Sequence, residues 1–183
     1  MHKDTEPVTV QDYDPVWKTW SEELQSFLDD SLSRMAVRME HVGSTAIPGM
    51  VAKPIIDLVI VISVRDFEEV KSRLAKVGFI HRGDLGIKGR EAFLLTDVEL
   101  KKHLPPHHLY VCDLENEELR RLIAFRDYLR VHPEDAAEYS KLKIELVKQY
   151  SGDRVRYIDG KDNLVKEILE KALQWSREKS SLR

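Results

Sequence analysis

Glu40-His41-Val42-Gly43-Ser44-Thr45-Ala46-Ile47-Pro48-Gly49, followed three residues later by Lys53-Pro54-Ile55-Ile56-Asp57-Leu58, is the stretch on which the fold turns. Val37, Met39 and His41 alternate with Arg38, Glu40 and Val42, the two-residue period of a short strand. Gly43-Ser44 ends that strand. Thr45 to Lys53 carries Pro48 and Gly49 and reads as a tight turn or a short broken helix. The unbroken apolar run Ile55 to Ile62 then predicts an interior strand covered on both faces. Asp57 is the outlier in that run. A carboxylate among Ile and Val is costly unless it is paired, hydrogen-bonded or bound to a cation.

Working outward, Asp14-Pro15 predicts a helix start, with Trp17, Trp20, Leu24, Phe27, Leu28 and Leu32 following at helical spacing. Val64 to Val77 predicts a second helix, and Phe79-Ile80 begins another strand. The glycines between Gly83 and Gly89 predict a hairpin-like connection, hence antiparallel pairing. Glu91 to Thr96 and His107 to Cys112 read as further strands. The last third changes character: Glu115 to Arg130, Pro133 to Tyr150 and Asn163 to Trp175 read as helices, broken at His132-Pro133. Arg177 to Arg183 reads as a fraying tail. The sum is an α/β (α+β) fold: a mixed β-sheet flanked by helices, with a helical C-terminal part. We read residues 1–183 as a single domain, with a core over 13–114 and its helical part over 115–178.

Of the 183 residues, 42% are apolar and 33% charged, with a formal net charge of −3, which excludes wholesale disorder and any bulk attraction to nucleic acid. A single cysteine, Cys112, excludes an internal disulfide framework and a Cys-rich zinc site, and fits a reducing compartment. No run approaches the ~20 apolar residues needed to span a membrane. Met1 to Pro7 lacks the apolar core of a signal peptide. A cytoplasmic protein is the expectation.

Chemistry concentrates around Gly43. Glycine lets backbone approach a phosphate closely, Ser44 and Thr45 add hydroxyls, and Lys53 adds a point charge. Asp57 reads either as a metal or catalytic carboxylate or as a structural partner of Lys53. His107 and His108 point to opposite faces of their strand, so at most one can share the Asp57 site. His107 is taken as the candidate for proton relay or phosphate contact. Tyr139 and Lys143, four residues apart, share a helix face that could close over the site. Arg154 and Lys161 follow; Arg126-Asp127 belong to the same polar set but read more readily as part of a salt-bridged, solvated helix. The spacing is neither that of a P-loop nor that of a dinucleotide fingerprint.

A strand ending in Gly-Ser, a short turn and a second strand carrying an acid resembles the nucleotidyltransferase superfamily. More narrowly, EHVGSTAIPGMVAKPIIDL (Glu40 to Leu58), HHLYVC (His107 to Cys112) and FRDYLRVHPEDAAEYSKLK (Phe125 to Lys143) resemble the GrpB family of bacterial proteins, with Arg154, Tyr157 and Lys161 beyond. The resemblance covers about Tyr13 to Trp175. It implies a nucleotidyltransferase-like fold, with Gly43 and Ser44 at the phosphate-binding position and Asp57 at the first metal-acid position. Mg²⁺ or Mn²⁺ is the implied cofactor. The second acid falls at Val59, which cannot bind metal, so Glu40 or Glu91 would have to complete the shell. A related domain fused to dephospho-CoA kinase in some bacteria implies possible contact with a metabolic enzyme. Two functions follow: a nucleotidyltransferase-like enzyme acting on a nucleotide or other phosphorylated small molecule, or a non-catalytic phospholigand-binding or interaction module.

Overall fold

The computed structural model describes residues 7–33, 35, 37–150 and 153–181. The readings made for Met1 to Glu6 and for Leu182-Arg183 lie outside them. Five strands form one mixed sheet: β1 (Arg38–Val42), β2 (Ile56–Ile62), β3 (Phe79–His81), β4 (Arg90–Leu95) and β5 (His107–Asp113), in the spatial order β1-β2-β5-β4-β3. β2 runs parallel to β5, and the other neighbours pair antiparallel, including the β3–β4 hairpin around Gly86. The apolar run is therefore an interior strand. Helices α1 (Val16–Ser31), α2 (Phe67–Lys76) and the single-turn α3 (Leu100–His103) belong to the N-terminal part. Helices α4 (Glu117–Val131), α5 (Pro133–Tyr150), α6 (Arg154–Asp159) and α7 (Asp162–Ser181) make up the C-terminal part.

The alternation of β2 assigns its two faces. Leu58, Ile60 and Ile62 point to one side, where Trp17, Leu24 and Leu28 of α1 and Val70 and Leu74 of α2 close the main core. Val59 and Val61 point to the other, against Val42, Cys112 and Leu119 of α4. Each fully buried aliphatic side chain contributes about 2 kcal/mol, so this double coverage is what holds β2 in the interior. The Asp14 carboxylate accepts from the Val16 amide at 2.9 Å and starts α1 as expected. Asn116 caps α4 in the same way, accepting from Leu119 N at 3.1 Å.

Two details differ from expectation. The segment from Val64 begins as a 3-10 turn over Val64–Asp66 before α2. The tail is helical as far as Ser181, supported by a Gln174–Glu178 hydrogen bond and by Lys179 over the Trp175 ring.

What positions the site is the clamping of the segment from Gly43 to Lys53. Ser44–Ala46 is one 3-10 turn. Ile47 and Met50 then insert into the core shared by α4, α5 and α7. The Arg130 guanidinium donates twice to the Ala46 carbonyl, and Ser140 Oγ accepts from the Val51 amide at 3.2 Å. The turn that follows β1 is thus held between the sheet and the C-terminal helices.

Candidate functional site

The clamped turn, the first residues of β2 and β5, and the inner faces of α5 and α6 enclose a cavity of about 220 Å³. Its polar lining is Ser44, Thr45, Lys53, Asp57, His108, Tyr139, Lys143, Arg154, Tyr157 and Lys161. A second hollow, more apolar, shares Ser44, Asp57, Tyr139 and Lys161 with it and continues along Leu122, Phe125, Val165 and Leu169.

Gly43 is required where it stands. Its φ of +73° favours glycine, and a Cβ there would lie 2.3 Å from Asp57 Oδ2. The glycine therefore lets the carboxylate pack against the turn. The other carboxylate oxygen, Oδ1, accepts from His108 Nδ1 at 2.8 Å. Asp57 and His108 are partners in the parallel β2–β5 register, so both side chains project from the same sheet face.

That register corrects the histidine assignment. His107 faces the opposite side, bonded through Nδ1 to the Pro105 carbonyl and packed beside Phe79. Burial holds its pKa below the ordinary histidine value, the Pro105 bond opposing this only in part. His108 is the imidazole at the cavity.

Ser44 and Thr45 differ in what they can offer. Thr45 Oγ1 donates to the Ile55 carbonyl at 3.2 Å and so accepts from His41 Nε2 at 2.9 Å. Its hydroxyl is committed to joining β1, the turn and β2. Burial lowers the His41 pKa to about 4, which keeps that ring neutral, and the bond to Thr45 selects the tautomer that donates from Nε2. Among the described residues Ser44 Oγ hydrogen-bonds only with Lys143 Nζ, at 3.0 Å, and it lines both hollows.

Lys143 is buried, 3% exposed. Its Nζ contacts the Val51 carbonyl and lies 4.4 Å from the Tyr139 ring centroid. Burial, with the nearby Lys161 charge, lowers its pKa to about 7. Tyr139 shares that face of α5, and burial raises its phenol pKa, so it stays protonated. Across the cavity, the buried Tyr157 ring carries two ammonium groups, Lys161 at 4.5 Å and Lys53 at 5.3 Å from the centroid. Arg154 lies one helical turn before Tyr157 on α6. Burial holds Lys53 and Lys161 below the usual lysine range, helped by the Arg154 charge at Lys53 and by the Lys53 and Arg154 charges at Lys161. Four cationic side chains thus share the lining with one carboxylate.

The donor set does not fit a protein-held metal pair. Val59, at the second acid position, is fully buried among Val42, Val61 and Leu119. Glu40, expected to help hold a metal, is instead gripped by Arg126 Nη1 at 2.6 Å and does not line the cavity. Glu91, the other expected partner, projects from the opposite sheet face and binds His81 at 2.6 Å. Among the described residues, no group of three His, Cys, Asp or Glu side chains is placed to hold a metal ion.

A family model described as GrpB protein matches residues 7–171. The chain belongs to the GrpB family. It is 36% identical over 157 residues to the glutamate-rich protein GrpB of Alkalihalophilus pseudofirmus, spanning 84% of this chain and 88% of that protein. It is 32% identical over 166 residues to YqkA of Bacillus subtilis, spanning 90% of this chain but only 47% of YqkA. A crystal structure of GrpB from Enterococcus faecalis superposes with a TM-score of 0.77 at 29% identity, over 92% of this chain and 99% of that one. Cid1, solved in complex with the UTP analog UMPNPP, superposes with a TM-score of 0.51 at 15% identity, over 75% of this chain and 41% of Cid1. That likeness establishes a nucleotidyltransferase-like fold for the family member described here.

Two residues of the cavity, His108 and Tyr157, are not taken as site residues from sequence, and Lys161 enters there only as a member of the C-terminal polar set. Tyr157 and Lys161 had a signal: they sit four apart, downstream of Arg154, in the stretch that resembles the family. His108 also lies in a stretch that resembles the family, HHLYVC, but nothing in that stretch separates it from His107. Among the described residues no helix is long and apolar enough to cross a membrane.

Proposed function

We propose that the cavity binds a phosphorylated small molecule, such as a nucleotide, through the chain's own cations. The observation that carries this reading is the charge imbalance: Lys53, Lys143, Arg154 and Lys161 line one cavity with Ser44, and Asp57 is the one carboxylate of that lining. Like charges crowded in a partly buried space repel one another. An anion with several acceptor oxygens relieves the repulsion and gains charge-assisted hydrogen bonds. The cavity suits the phosphates, and the apolar hollow beside it suits the rest of the ligand. The geometry supports a phospholigand site derived from a nucleotidyltransferase fold better than two-metal transferase chemistry, because Val59, Glu40 and Glu91 provide no second metal-binding carboxylate at Asp57.

Calorimetric titration with ATP and with adenosine tests the reading. ATP is expected to bind and adenosine to show no measurable heat. Equal binding of both would mean that the cations are not the recognition element.

A second reading, contact with a metabolic enzyme, draws on a different observation. The dephospho-CoA kinase of Mycobacterium leprae is 23% identical over 196 residues, a match spanning 93% of this chain and 47% of that protein. We infer that a domain of this kind can work beside a phosphate-handling enzyme. Co-sedimentation with a dephospho-CoA kinase that lacks such a region tests it.

A further inference from the structure

Lys143 is the most unusual group in the cavity. A buried ammonium is ordinarily paired with a carboxylate. Among the described residues, no carboxylate lies within ion-pair distance of it: Asp57 is engaged by His108, and Glu145 by Lys141. Its polar contacts are the Val51 carbonyl, which takes one N–H, and Ser44 Oγ at 3.0 Å. The groups facing it are Lys161, Tyr139 and Ser44, with Lys53, Arg154 and Asp57 farther round the same lining. Ser44 in turn has no hydrogen-bond partner among the described side chains except Lys143, and it opens to the cavity. A serine hydroxyl beside a lysine that lacks a counter-ion is the arrangement of a nucleophile and its base.

We propose that Ser44 is a nucleophile that takes a phosphoryl group from a phosphoric anhydride, with Lys143 as its general base. This rests on the phospholigand reading of the cavity. In the step, the neutral Lys143 amine accepts the Ser44 hydroxyl proton and Oγ forms a bond to phosphorus. The bridging P–O bond breaks, and its electron pair leaves on the departing oxygen. Lys143 ends as an ammonium and Ser44 as a phosphoserine. An anhydride is favoured over a simple phosphate ester because its leaving group departs as a stable anion. The cavity offers one histidine, His108, and no metal-binding acid pair to assist a poorer one. Lys53, Arg154 and Lys161 neutralise the charge that develops on the transferred group. Burial and Lys161, which bring the Lys143 pKa to about 7, supply the neutral amine near neutral pH.

The test incubates the full chain, with chelator present, with acetyl phosphate and separately with ATP. Labelling is followed by intact mass and peptide mapping. One phosphoryl increment on Ser44 is expected, forming faster as pH rises through about 7. Ser44→Ala should abolish it, and Lys143→Met should slow it by roughly 100-fold. Lys143→Arg keeps a cation but cannot serve as a base, so it should lose the increment. Absence of labelling in a wild-type chain that binds ATP overturns the dyad and leaves the binding reading standing. Labelling at another residue, or undiminished labelling in Lys143→Arg, also overturns it. A wild-type chain that neither binds ATP nor is labelled overturns both readings. Mapping the wild type against Ser44→Ala decides the matter even where the buried Lys143 variants fail to fold.

Discussion

Arg126→Ala should destabilise the protein by about 3 kcal/mol, measured as a shift of the urea midpoint with an unchanged slope. Arg126 is 9% exposed, and its guanidinium holds three groups: Glu40 at 2.6 Å, Asp127 at 2.7 Å and the His41 carbonyl at 3.0 Å. It thereby fastens α4 to β1 immediately before the Gly43-Ser44 turn. Truncation leaves Glu40 as a partly buried charge that, among the described residues, retains only Arg38, at 3.2 Å and half exposed. Much of the loss is the desolvation of that stranded carboxylate, so adding Glu40→Gln to Arg126→Ala should recover part of it. A loss below about 1 kcal/mol would show that the pair behaves as a solvated surface bridge.

Lys161→Glu should weaken ATP binding by roughly 100-fold or more, since it removes a charge-assisted contact and adds a repulsive one. Lys161 is the cation common to both hollows, and it is held in place by the Tyr157 ring. Tyr157→Leu should give a smaller loss in the same direction, because it frees Lys161 and Lys53 without removing either charge. Titration calorimetry on the two variants checks the order. A wild-type affinity in Lys161→Glu would remove the cationic cavity from ligand recognition.

The fold was legible because its decisive signals are local. The apolar run from Ile55 to Ile62 is long enough for one strand and has no polar face, so it had to lie inside a sheet. The glycines from Gly83 to Gly89 marked a hairpin, and His132-Pro133 marked the break between α4 and α5. The cavity was legible in part for the same reason: Gly43, Ser44, Lys53 and Asp57 are close in sequence.

The misassigned residues depended on tertiary register. Adjacency shows that His107 and His108 face opposite sides, but only the pairing of Asp57 with His108 decides which one meets the carboxylate. Glu40 looks like a free strand carboxylate until Arg126, 86 positions away, is brought against it. Glu91 similarly looks available until the β3–β4 hairpin sets His81 beside it. Thr45 resembles Ser44 in sequence, yet its hydroxyl is used by His41 and Ile55. The commitment of a hydrogen-bonding group is a property of its neighbours, which local pattern does not display.

The central claim is that the cavity recognises phosphate with its own side chains. The most direct measurement is calorimetric titration of ATP into the wild-type chain, with Mg²⁺ present and again with the metal chelated. Since Asp57 is held by His108, and Glu118, the other carboxylate of the adjoining hollow, is paired with Arg121 at 3.0 Å, affinity should change by no more than about threefold on chelation. Asp57→Asn should likewise retain metal-free binding. A loss of tenfold or more on chelation, reproduced by Asp57→Asn in the presence of Mg²⁺, would contradict the account and restore Asp57 as a metal-binding carboxylate.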